Sequence, residues 1–219
     1  MKIFEVAQQI RTKVNSLKYS DTPETQKVSS LIEVGWQNAL PKPPENTSDI
    51  TISELRYLEK LTRVLSPAEK ELVKVVDIES LDLFRNVARK NNIKLNEDGF
   101  VKLWNICRPI VFNLKAKFNR PRPQQLAPYF GINVNVITTK THQTPAYPSG
   151  HTLYAALAAH LFSAKYPELS GEFFSLVGTV GEARCLQGVH YPSDNEASMT
   201  ISSVLWEDLK YKLFPDLFI

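Results

Sequence analysis

Residues 146–156 read AYPSGHTLYAA. Proline, serine and glycine announce the start of a helix, and Leu153, Ala156, Leu157 and Leu161 then recur at the spacing of one helical face. The body of that helix is therefore core. Its mouth is different. Ser149 is placed to cap it, Gly150 lets a ligand approach the backbone, and His151 adds an ionisable ring. Unpaired amides at the positive end of a helix dipole make such a mouth an anion site.

The same helical period recurs outward from this stretch. Eight glycines in 219 residues and little strand-like alternation predict an all-α protein, a single-domain helical bundle over residues 1–219. Capping signals agree: Thr22-Pro23-Glu24, the capping box Ser66-Pro67-Ala68-Glu69, and a second box, Ser193-Asp194-Asn195-Glu196. Helices are expected near 2–18, 23–39, 52–64, 67–75, 78–91, 97–117, 150–165, 169–187 and 194–212. Pro109 should kink or split the sixth, because it removes an amide donor and crowds the preceding turn. Two loops interrupt the pattern, Pro41–Ser48 and the proline-rich Asn119–Pro148. A loop as long as the second is usually functional or disordered, so chemistry is expected around it.

Composition excludes several classes. The net charge of +3 is spread along the chain, with no basic concentration of the kind a nucleic-acid reader needs. The longest apolar runs, such as Thr152–Ala159, fall well short of the ~20 residues a spanning helix requires. The first twenty residues carry charges and glutamines where an export signal needs an apolar stretch, which predicts a cytoplasmic protein. Cys107 and Cys185 follow no metal or disulfide spacing and read as two buried thiols in a reducing compartment.

Three segments bracket the long loop. Before it, Lys115 is followed after six residues by Arg122-Pro123; at its end stands Pro148-Ser149-Gly150-His151; beyond it come Arg184, His190 and Asp194, with five and three residues between them. Lys115, Arg122 and Arg184 would add three positive charges to the anion site, and the planar fork of arginine suits a tetrahedral oxyanion. Charge-assisted bonds of this kind are worth about 1.5–3 kcal/mol each. Asp194 can accept a proton from one ring nitrogen of His190 and so leave the other as a nucleophile. His151 is placed to give a proton to a leaving alcohol, and no carboxylate cluster points to a metal.

Together these segments resemble the signature of the type 2 phosphatidic acid phosphatase (PAP2) family, shared with class A acid phosphatases and vanadium haloperoxidases. The pattern is K-x6-R-P, P-S-G-H and S-R-x5-H-x3-D, and the chain departs from it only at Ala183, where the family usually has serine. The resemblance implies a helical-bundle phosphatase that uses no cofactor and acts on a small phosphomonoester. The residue matching His190 forms a phosphohistidine, supported by Asp194, and His151 protonates the leaving group. Lys115, Arg122, Ser149, Gly150 and Arg184 hold the phosphate. The motifs lie within 115–194, and the helices of about 1–95 would frame the pocket.

Two other readings use the same residues. A vanadium-dependent haloperoxidase would hold vanadate as its cofactor, and a non-catalytic helical module would bind phosphate without turnover. A peripheral lipid-phosphate phosphatase is a variant of the first reading. His142 and His160 lack charged partners at useful spacing: His160 reads as structural, and His142 offers at most a loop contact to substrate. The stretches ISELRYLEKLTRVL and LVKVVDIESLDLF read as bundle helices that shape the pocket entrance.

Overall fold

The computed structural model describes residues 2–19, 40–95, 97–139 and 141–214. The helix expected over 23–39 lies outside the described residues. The order is α1 (Lys2–Asn15), α2 (Asp49–Leu61), α3 (Pro67–Glu79), α4 (Asp82–Lys90), α5 (Glu97–Phe118), a single turn α6 (Pro123–Leu126), α7 (Gly150–Lys165), α8 (Ser170–Leu186) and α9 (Pro192–Leu213). Among the described residues there is no strand, and no helix is long and apolar enough to cross a membrane.

α7 is the centre of the fold, packed against α5, α8 and α9. Four of its alanines, Ala155, Ala156, Ala158 and Ala159, are buried with Leu153, Leu157 and Leu161. Small side chains let three helices close on one axis, and this is why the helix shows no polar face to the sequence reader. Phe84 of α4, Phe162 of α7 and Phe173 of α8 meet with ring centroids 5.6–6.1 Å apart. His160 lies between Trp206 and Phe174 at 5.8 and 5.0 Å, in the structural role expected of it.

Three local expectations are corrected. Pro109 does not split α5, which runs unbroken across it. The carbonyl that loses its partner belongs to Asn105, an exposed residue where water can serve instead. The boundary expected between 75 and 78 lies at Ser80-Leu81, because Val76 and Asp77 are themselves buried by α3. The box expected to open at Ser193 opens earlier: Tyr191 is the N-cap of α9, and its amide donates to the Asp194 carboxylate at 3.0 Å.

The long loop is pinned at both flanks. Ile132 and Val134 are buried in a second core with Leu55, Leu58 and Tyr191. Ala146 donates to the Arg120 carbonyl at 2.9 Å, and Ile137 donates to that of Gln187 at 3.1 Å. After α8 the chain turns at Gly188, with φ +77°, and delivers His190 two residues later.

A methyl group on Gly188 would stand 2.3 Å from the Asn135 carbonyl oxygen. A left-handed conformation costs a non-glycine residue about 1–2 kcal/mol before that overlap is counted. Gly188→Ala is therefore expected to lose at least about 2 kcal/mol in urea unfolding.

Candidate active site

The mouth of α7 is built on backbone as much as on side chains. Ser149 takes the N-cap position with φ −74° and ψ 111°, yet its hydroxyl caps no amide and pairs instead with Thr152 Oγ1 at 2.9 Å. The Ser149 amide donates to the Asp194 carbonyl at 3.2 Å. Ser198 Oγ contacts both the Ser149 and the Asp194 carbonyl oxygens, at 2.9 and 2.8 Å. The first turns of α7 and α9 are thereby stitched together. Leu153 makes the first intrahelical bond of α7, so the amides of Gly150, His151 and Thr152 precede the ladder.

His190 meets this junction from the turn after α8. Its Nδ1 is 3.1 Å from Asp194 Oδ2, and its Nε2 is 3.0 Å from Arg122 Nη1. A guanidinium nitrogen cannot accept, so Nε2 must present its lone pair and Nδ1 must carry the proton. Burial, then the neighbouring Arg122, Lys115 and Arg184, hold the ring well below the ordinary histidine value. The neutral, Nδ1-protonated form is the form a nucleophile requires.

The three cations are all buried. Arg122 donates through Nε to the Thr144 carbonyl at 2.7 Å and through Nη1 to the Val189 carbonyl at 2.6 Å. Lys115 Nζ donates to the carbonyls of Pro145 and Ala146. Burial and mutual repulsion push both down, Arg122 to about 9. His151 falls to about 3, through burial and then the charge of Arg184. This concentration of like charge is a strong receptor for an anion.

Arg184 is set differently. Its Nη1 donates to Asp77 Oδ1 at 2.7 Å and its Nη2 to Thr141 Oγ1 at 3.2 Å. Asp77 also accepts from Thr139 at 3.0 Å and contacts Gln187 at 3.4 Å, and these partners hold it at about 2 despite burial. The Asp77 carbonyl is 3.4 Å from His151 Nε2. Asp77 was missed because VVDIES reads as an ordinary amphipathic stretch, and no spacing rule connects position 77 to position 184.

Arg120 was missed as well, although R-P-R-P places it two residues before Arg122. It lies 3.8 Å over the Tyr191 ring and donates to Asp194 Oδ1 at 2.6 Å and Glu54 Oε2 at 3.3 Å. Glu54 in turn accepts from the Ser193 amide at 2.6 Å. Burial raises the Glu54 carboxyl, and Arg120 partly offsets this.

Lys115, Arg122, Gly150, His151 and His190 line one end of a cavity of about 670 Å³. Ser149, Arg184 and Asp194 are buried and absent from its described lining. Ala183 is also buried, inside the main core, so a methyl group suits the position's packing. His142 contacts Thr139, while its neighbours Thr141, Gln143 and Thr144 face the cavity.

Two histidines and the buried cations Lys115 and Arg122 thus line one cavity within an all-α fold. Residues 103–209 match the model of the PAP2 superfamily. The non-specific acid phosphatases of Salmonella typhimurium and Salmonella typhi are each 25% identical over 197 residues, covering 85% of this chain and 78% of theirs. The fold is similar to that of a bacterial vanadium-dependent chloroperoxidase, with a TM-score of 0.62 and 12% identity over 91% of this chain. A bacterial vanadium-dependent iodoperoxidase gives 0.61 and 12% over 92%. The chain spans 57% and 63% of the length of those two peroxidases. A transmembrane PAP2-type phosphatidylglycerolphosphate phosphatase from Bacillus subtilis gives 0.50 at 15% identity, over 76% of this chain and 89% of that one.

Two outcomes are expected from this geometry. Arg120→Met strands Glu54 and Asp194 as buried anions and should cost about 3–5 kcal/mol, whereas adding Glu54→Gln to it should recover part of the loss. A double-mutant cycle by denaturant unfolding measures the difference.

The second concerns pH. His151 and His190 sit below their ordinary 6.5 in the folded state, so on acidification the unfolded chain takes up protons that the folded chain refuses. Stability is therefore full above 6.5 and falls as pH decreases toward about 3. Asp77, at about 2 against an unfolded 3.8, adds a further loss below 3.8. A bound dianion relieves the repulsion and raises His151. Sulfate, a dianion throughout, should therefore raise Tm more at a pH of about 5 than at about 7 and bind with proton uptake. Calorimetry in two buffers of different ionisation enthalpy reads the uptake directly.

Proposed function

We propose that the chain hydrolyses phosphomonoesters through a phosphohistidine on His190, with no metal in the chemical step. The observation that carries this reading is His190 itself: Nδ1 is held by Asp194, and Nε2 is turned to the end of the cavity where Arg122, Lys115 and Gly150 converge.

The substrate dianion enters among Lys115, Arg122 and the first amides of α7, with Arg184 behind them. Arg122 turns from His190 Nε2 to a phosphoryl oxygen, which frees the lone pair. The Nε2–P bond forms as the P–O bond to the alcohol breaks, and the Nδ1 proton stays on Asp194's side of the ring. His151, its proton affinity raised by the bound dianion, protonates the leaving oxygen. Neutral again, it takes a proton from water as that water attacks phosphorus and breaks the P–N bond. General acid–base help of this kind supplies about 10²–10⁴ in rate. Free buried thiols at Cys107 and Cys185 support the cytoplasmic placement expected from the sequence.

The same donors fit vanadate, phosphate's structural analogue, so orthovanadate should inhibit. p-Nitrophenyl phosphate turnover that survives EDTA, stops in His190→Ala and is blocked by orthovanadate is the expected result. An intact protein that releases no phosphate from a broad panel of monoesters would overturn the reading. Bromination of a dye with vanadate and peroxide would then favour peroxidase chemistry.

A further inference from the structure

The cavity is far larger than a phosphate needs, and the part beyond the cations has a chemistry of its own. Trp104, Cys107, Val111 and Lys115 follow one another along α5 at spacings of three, four and four residues, so they form one stripe on one helix face. At ~1.5 Å rise per residue the stripe runs roughly 16 Å from Lys115 to Trp104. Phe112 and Val101 flank it, and Tyr154, one turn after His151, faces it from α7.

Several polar groups along this channel are engaged, while Ser80, Asp98 and Gln143 also line the cavity away from the stripe. Tyr154 donates its hydroxyl to the Phe100 carbonyl at 2.9 Å, leaving its ring to the cavity. Its ring meets Trp104 edge to face at 5.1 Å. The Arg108 guanidinium stacks over Phe112 at 5.6 Å. At the mouth Arg85 binds Glu97 through two bonds of 3.0 and 3.1 Å and Asp82 at 2.9 Å, so these three charges are spent on one another. Yet Trp104 keeps 46% of its surface exposed, and Val101 keeps 59%. An apolar channel that starts at the phosphate end and finishes in exposed aromatic and aliphatic surface is built to cover an apolar ligand group.

The geometry points to a specific leaving group: an uncharged aromatic ring system, whose phosphate sits among Lys115, Arg122 and His190 while its rings lie along Val111, Phe112, Tyr154 and Trp104. This rests on the phosphomonoester reading and narrows it. A sugar, polyol or nucleoside lying along Val111, Phe112, Tyr154 and Trp104 would turn its hydroxyls to apolar side chains that offer no partner, and each unpaired buried hydroxyl weakens binding. Trp104 is thus a specificity-determining residue that touches the leaving group and not the reacting atoms.

The test separates this inference from turnover by using ligands that cannot be hydrolysed. Naphthylmethylphosphonate and methylphosphonate share the same anionic head and differ in the ring. Titration calorimetry on the intact protein should show the naphthyl compound binding at least about ten-fold more tightly. Trp104→Ala and Val101→Asp, both at exposed positions, should reduce that ratio to below about three-fold while methylphosphonate affinity stays within about two-fold. Equal affinity for the two phosphonates in the intact protein, or a ratio unmoved by both variants, overturns the assignment. Strong naphthyl preference without hydrolysis of naphthyl phosphate would sustain the channel and remove the phosphatase reading. Hydrolysis of glycerol phosphate with equal phosphonate affinities would do the reverse.

Discussion

The carboxylate of Asp194 holds donors on both oxygens, Arg120 on one and His190 with the Tyr191 amide on the other, and the site is organised around that arrangement. A buried carboxylate is costly unless each of its lone pairs has a partner. Here the partners come from two segments far apart in sequence: Arg120 from the start of the long loop, and His190 with Tyr191 from the turn between α8 and α9. Satisfying one charge therefore fixes both segments at once. The backbone of the same residue accepts from Ser149, which ties in α7. Desolvation thus becomes positional accuracy, and the tautomer of His190 follows from it.

The cations pull in the opposite direction. Lys115, Arg122 and Arg184 are buried within reach of one another and of two histidines, and burial, then their mutual repulsion, lowers Lys115, Arg122 and His151. A fold selected for stability alone would not collect them. Asp77 answers part of the excess, but it is committed to Arg184 and the loop threonines, and so leaves the end near Arg122 and Lys115 positive. The unbalanced part is what an incoming dianion neutralises, so binding strength is drawn from strain in the unliganded state. In the proposed reaction the same imbalance keeps His151 neutral in the free site and lets it take up a proton when a dianion binds.

How much of this was legible in the sequence follows from the range of each signal. Caps and helical period are local, and they gave α2, α5, α7 and α8 to within a few residues. The site motifs were legible because K-x6-R-P and R-x5-H-x3-D are fixed spacings on or beside helices. What escaped depended on contacts across the chain. Asp77 meets Arg184 over 107 positions, and Glu54 meets Ser193 over 139. No local pattern distinguishes either carboxylate from those on a solvated helix face. Ser149 escaped in a subtler way: serine before a helix predicts a capped amide, but Thr152 at the third helical position offered its hydroxyl instead.

One helix carries both halves of the cavity, and this constrains how such a protein can change. α5 supplies Lys115 to the charged end and Trp104 to the mouth, on one rigid stripe. The stripe is buried from Lys115 through Val111 to Cys107 and becomes exposed only at Trp104. Inner positions are fixed by desolvated charge and close packing: at Gly150 a methyl would already press on Val111 at 3.3 Å. Outer positions face solvent and meet few constraints beyond helix formation. In the proposed reading, reaction chemistry and ligand choice thus occupy the same helix at different depths, and substitutions near the mouth alter what binds without moving the atoms that react.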